Sequence, residues 1–221
     1  MRRLNEDNFV YLLAALIIFL VVLPIMEDLN LLSDALIRPI SFSCLFAVGV
    51  WSLRDSKWTF RAGISLAAVG VISNALAIAN DSRSLYFFGT ATLFAFLTLA
   101  TRSAMRQVVF SKEIDANRLF GAVCVYLMLG VLWALMYATL AELNPAAFSG
   151  ALPTNAEDWN LEWVYYSFVT LTTLGYGDIL PASATARALA YSEAVVGVFY
   201  MAMLVAALVG SYTASNTRKN Q

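Results

Sequence analysis

Histidine is absent from the 221 residues. Its absence removes the side chain most used for general acid–base work and for holding metals. Serine–histidine and histidine–zinc chemistries are thereby excluded, and no paired intramembrane aspartates offer a protease of another kind. Charge is scarce too, at 13% of residues against roughly a quarter in soluble domains. The formal net charge is −1, which gives no reason to expect a nucleic acid partner. Cysteine occurs twice, as Cys44 and Cys124, both inside apolar runs. Both read as small hydrophobes in helix packing rather than a disulfide, so they leave the redox compartment open.

Apolar side chains are what the sequence has in excess. They make up 60% of it, and the mean hydropathy is +0.70. That balance points to lipid as the solvent. Apolar runs approaching the ~20 residues that a crossing helix needs extend over Phe9–Met26, Ala35–Leu53, Ala62–Ala79, Leu85–Ala100, Leu119–Leu140 and Thr185–Tyr212. Arg38-Pro39 interrupts the second run, and Pro39 suits a first helical turn there. Arg2-Arg3 before the first run is not followed by a small-residue cleavage site, so an uncleaved first helix is expected.

The basic residues orient these spans. A cytoplasmic N-terminus places Arg2, Arg3, Arg54, Lys57, Arg61, Arg102, Arg106, Lys112, Arg118, Arg218 and Lys219 inside. Only Arg38, Arg83 and Arg187 then lie outside, and both termini are expected in the cytoplasm. The link Asn80-Asp81-Ser82-Arg83-Ser84 is an external hairpin in this scheme.

A different connection joins the fifth and sixth runs. A polar stretch from Ala141 to Trp159 leads to a shorter apolar segment, Leu161–Leu171, and then to Gly175-Tyr176-Gly177. The segment is too short to span, so it predicts a re-entrant helix. Non-helical backbone at membrane depth is tolerated only where protein buries it or where it lines a wet cavity. Asn160 is the expected N-cap and Glu162 the expected first-turn acid. The C-terminal end of this helix carries a partial negative charge that favours a cation.

The run Thr170-Leu171-Thr172-Thr173-Leu174-Gly175-Tyr176-Gly177-Asp178 resembles the selectivity-filter motif of the potassium channel superfamily, T-x-x-T-x-G-Y-G followed by Asp. Five fixed letters at ~5% each arise by chance about once in ten thousand chains of this length. The resemblance covers the fifth run through the sixth. It implies a filter of Thr173, Leu174, Gly175, Tyr176 and Gly177 in each of four chains. Carbonyls of Thr173, Leu174, Gly175 and Tyr176, with the Thr173 hydroxyl, would replace the water around K+. Pointing successive carbonyls to one side needs alternating backbone handedness, which Gly175 and Gly177 adopt at little cost. Leu174 and Tyr176 are then expected to point into the protein and brace the ring. Leu174 stands where valine is commonest in the family.

Family members often carry a tryptophan pair on the re-entrant helix, and Tyr165-Tyr166 occupy those positions. One of the two is expected to bond Asp178. Where some relatives have a glutamate four residues before the filter threonine, this chain has Val169, so filter support must come from elsewhere. By the same resemblance the sixth span is the inner helix and Gly197 matches the hinge glycine, with close helix packing the plainer alternative. Val198, Met201, Val205 and Val209 fall on one apolar stripe, expected to line the cavity and to gate it by dewetting. Glu193 is an acid inside this helix, read either as a hydrogen-bonded neutral group supporting the filter or as a proton-sensitive element.

Six spans with the pore in the last two are similar to the voltage-gated layout, but the fourth run has only Arg102 and Arg106, both at its cytoplasmic end. Steep voltage gating needs several charges crossing the field, so weak or absent voltage dependence is expected. About nine residues follow Tyr212, so no cytoplasmic regulatory domain is expected within this sequence.

The expected fold is an all-α membrane protein with six transmembrane helices, a re-entrant pore helix and a filter loop, assembled as a tetrameric pore. The expected division is a voltage-sensor-like unit over 1–112 and a pore unit over 113–221. Homotetramerisation, lipid contact, K+ as permeant ion and no cofactor complete the expectation, in a cell membrane such as a bacterial inner membrane. A channel poorly selective between sodium and potassium, an intramembrane enzyme and a transporter with four pore repeats in one chain are the alternatives.

Overall fold

The computed structural model describes residues 8–29, 57–80, 82–110, 116–152 and 159–219. Helix α1 (Asn8–Ile17) passes through a π-helical stretch, Ile18–Val22, into α2 (Leu23–Asp28). Then come α3 (Lys57–Asn80), α4 (Arg83–Phe110) and the outer helix α5 (Ala116–Leu143). A 3-10 turn (Pro145–Ala147) and strand β1 (Phe148–Gly150) lead to the short helix α6 (Trp159–Leu171), where a re-entrant helix is expected. Strand β2 (Ile179–Pro181) and the inner helix α7 (Ala184–Lys219) complete the described chain.

Among the described residues, four helical stretches are long and apolar enough to cross a membrane: Phe9–Met26, Arg83–Val109, Asn117–Leu143 and Ala184–Ala207. The third expected span forms α3, with a shorter apolar stretch at Thr59–Ser73. The second, Ala35–Leu53, lies outside the described residues, as do Arg38 and Pro39. The protein is thus mainly helical and suited to a multi-pass membrane position.

Lipid tails are as apolar as leucine, so helices in a bilayer are held by close packing rather than by the hydrophobic effect. Small residues accordingly sit at the helix contacts: Ala100 and Ala104 on α4, and Ala122, Ala134 and Ala138 on α5, are all buried. One cluster joins Phe9, Leu12 and Leu16 of α1 to Leu93, Phe96 and Leu97 of α4 and to Val125, Met128 and Leu132 of α5. It crosses the division expected after residue 112. A second cluster uses the following stretch of α5, Ala134, Tyr137 and Ala138. It gathers them with Phe148, Trp163, Tyr166, Ile179 and Ala186 around α6. The outer helix therefore belongs to both.

Helix ends are set by local chemistry. After α5, the Asn144 Oδ1 accepts the Ala146 N–H at 3.2 Å and Pro145 follows at the start of the 3-10 turn. Before α7, the Ser183 Oγ accepts the Ala186 N–H at 3.1 Å, the bond of a serine N-cap. Glu162 lies in the first turn of α6 as expected, but that helix already includes Trp159. Asn160 is therefore inside the first turn rather than at its cap. The polar stretch after α5 also holds more order than its composition predicts. β1 pairs antiparallel with β2 in the register Phe148↔Pro181, Ser149↔Leu180 and Gly150↔Ile179.

Candidate functional site

The last four carbonyls of a helix lack partners within it, and at the end of α6 the loop that follows folds back to use them. The Phe168 carbonyl accepts the Thr172 N–H at 3.0 Å and its hydroxyl at 2.6 Å. The Val169 carbonyl accepts the Leu174 and Gly175 N–H groups at 2.9 and 3.2 Å, and Thr170 accepts Thr173 N–H at 3.0 Å. The Leu171 carbonyl accepts the Tyr126 hydroxyl of the outer helix at 3.3 Å. The loop is thus anchored by its own helix.

Beyond that anchor the backbone alternates. Thr173 has φ +59°, Gly175 +59° and Gly177 +79°, while Leu174 and Tyr176 are not in the positive range. A left-handed conformation is open to glycine and strained for a β-branched residue. Composition pointed to the two glycines and missed Thr173. Only the repeat of every second residue, carried one step back from Gly175, could have revealed it.

Leu174 and Tyr176 do not brace the loop within their own chain. They are 56% and 68% exposed, because the alternation turns them off the body that α5, α6 and α7 form.

Support comes from the flanks instead. Tyr165 donates to the Asp178 Oδ2 at 2.5 Å, and the Asp178 Oδ1 accepts the Ile179 N–H at 3.0 Å. The Tyr165 bond, foremost, holds the Asp178 carboxyl below the usual carboxylate range. Tyr166 turns the other way and packs edge-on against Tyr137, with ring centroids 4.7 Å apart. The Asp178 carbonyl accepts the Ala151 N–H at 2.8 Å, which joins the loop to the strand pair.

The inner helix has one buried face and several open ones. Glu193 is fully buried, with its Oε2 accepting the Tyr137 hydroxyl and its Oε1 beside the Ser167 hydroxyl, each at 2.5 Å. Ser167 Oγ also lies 2.7 Å from the Gly130 carbonyl. Neither Ser167 nor Tyr137 was singled out from sequence, although a hydroxyl inside an apolar run is the signal that marks such partners. One turn on from Glu193, Gly197 is buried, and a Cβ there would run into the Leu171 carbonyl. The absent Cβ permits this close approach. Val198, Met201 and Val205 are exposed, and the Val209 side chain lies outside the described residues.

Residues 146–214 match the family model described as "Ion channel". The match takes in both strands, α6, the loop and most of α7. No curated protein and no solved structure matches the chain. Family match and apolar helices together support an ion channel in a membrane, and point to transport rather than to an enzyme.

Proposed function

We propose that this chain is one of four identical subunits of a channel selective for potassium. Thr172-Thr173-Leu174-Gly175-Tyr176-Gly177-Asp178 forms its filter. The observation that carries the reading is the alternation of positive φ at Thr173, Gly175 and Gly177 in an exposed loop at the end of a re-entrant helix. Alternating handedness turns successive carbonyls to one side. Those of Thr173, Leu174, Gly175 and Tyr176, with the Thr173 hydroxyl, would then replace water around K+, which is cargo and not a cofactor.

Four copies are proposed because one chain supplies a single such loop and leaves an apolar surface open beside it. Phe199 is 61% and Met203 65% exposed, as Leu174 and Tyr176 are at 56% and 68%. Neighbouring subunits would cover part of it and lipid the rest. The stripe Val198, Met201, Val205 and Val209 is assigned to the cavity and gate, and both termini to the cytoplasm of a cell such as a bacterium. The unit before residue 113 is assigned a sensor-like layout with little voltage sensitivity.

Reconstitution into vesicles with opposed potassium and sodium gradients tests the reading. A reversal potential that follows potassium, from a particle of fourfold mass in detergent, is the expected result. A particle of one chain, or sodium carried as readily as potassium, would overturn it.

A further inference from the structure

Three short oxygen–oxygen contacts meet in the buried space between α5, α6 and α7, and their protons can be counted. The Gly130 carbonyl can only accept, so the single Ser167 hydroxyl proton is directed to it across 2.7 Å. The 2.5 Å contact between Ser167 Oγ and Glu193 Oε1 then needs its proton from the glutamate side. The Tyr137 hydroxyl proton goes to the Glu193 Oε2, also at 2.5 Å. Three contacts take three protons: one each from Tyr137, Glu193 and Ser167. An ionised Glu193 would leave two protons for three contacts, and one pair of oxygens would face lone pair to lone pair.

Among the described residues, no cation is paired with Glu193. Glu193 and Ser167 are both fully buried. The other titratable groups that sense Glu193 are Tyr126 of α5 and Tyr166 of α6, neither a cation. A neutral acid fits this site where a carboxylate does not.

We propose that Glu193 is carried as a neutral carboxylic acid and is a positioning residue, donating to Ser167. The directed chain Tyr137→Glu193→Ser167→Gly130 then fixes the inner and re-entrant helices to the outer helix. Ser167 lies on the helix whose end anchors the filter loop, so the chain sets where that loop begins. The positioning role rests on the channel reading above; the protonation does not.

Glutamine tests the assignment, because its amide N–H can donate to Ser167 while its carbonyl accepts from Tyr137. Purified wild-type protein should show the infrared carbonyl stretch of a protonated carboxyl group at neutral pH, and Glu193→Gln should lack it. Potassium flux in Glu193→Gln should stay within about twofold of wild type. In Glu193→Leu, which breaks the chain, it should fall about tenfold, as loss of a buried hydrogen bond implies. No difference band between wild type and Glu193→Gln overturns the proposal. So does a glutamine variant that fails to assemble or loses flux as the leucine variant does. Wild-type flux that ignores the potassium gradient would sink the channel reading instead, and the infrared band is read independently of it.

Discussion

At the scale of single residues, the candidate filter shows which strains are accepted and what opposes them. Thr173 at φ +59° costs about 1–2 kcal/mol relative to an ordinary conformation, and glycine would avoid that. A threonine persists there in keeping with a need for its hydroxyl. Tyr165 and Asp178 close the far end of the same loop. Tyr165→Phe removes the bond at 2.5 Å and should quicken filter inactivation several-fold, read as current decay in a planar bilayer. Acid should act on the same contact. A carboxyl held below its ordinary 3.8 favours the folded mouth above that value, and the support is lost as pH falls through the lowered one. External pH should therefore leave decay unchanged through the mildly acid range and speed it only below about 3.8. Decay that changes between neutral pH and pH 5 would place the sensitivity on another group.

At the scale of elements, α7 separates two readings of Gly197. A hinge glycine would affect bending and leave the pore helix alone. A glycine pressed on the Leu171 carbonyl must displace something when enlarged. Gly197→Ala should cost about 1–3 kcal/mol through overpacking, seen as a lower temperature at which the assembled particle dissociates in detergent. Unchanged dissociation with altered opening would favour the hinge. Most elements were legible beforehand because lipid writes long apolar runs into sequence: Phe9–Met26 and Leu119–Leu140 fall within helices at the expected places. Less legible were features made by contact between distant segments. The strand pair joins Phe148 to Pro181, and three-residue strands carry no period to read. Tyr137 and Ser167 stand 56 and 26 residues from Glu193. Single hydroxyls in apolar runs cannot announce that they share a partner. Leu174 and Tyr176 are exposed within their own chain, so the bracing expected of them is a matter for the proposed assembly.

At the scale of the whole molecule, one core ties α1 and α4 to the outer helix. Helices on both sides of the division expected after residue 112 thus share one core. Arg83 adds a polar link at the other end of α4, donating to the Glu142 carbonyl at 2.8 Å. Movement of α4 alone would break both contacts. Its arginines Arg102 and Arg106 lie in its last turns before Phe110, and a charge contributes about 2.3 kcal/mol per 100 mV only if it crosses the whole field. Opening should therefore change little between strongly negative and positive potentials. Arg102→Gln should leave the slope of open probability against voltage unchanged; a steep slope that flattens in this variant would restore a sensor role.

The bond from the Ala151 amide to the Asp178 carbonyl has a consequence for the outer rim. That oxygen is drawn sideways to the strand pair, so in the proposed filter the ion-facing carbonyls would end before Asp178. The outer end of the loop is then held by the strand pair rather than by any of the proposed ion-facing groups. Gly150, whose added Cβ would fall on that same carbonyl, is the position from which a substitution would displace the outer end of the loop with every proposed ion-facing residue left intact.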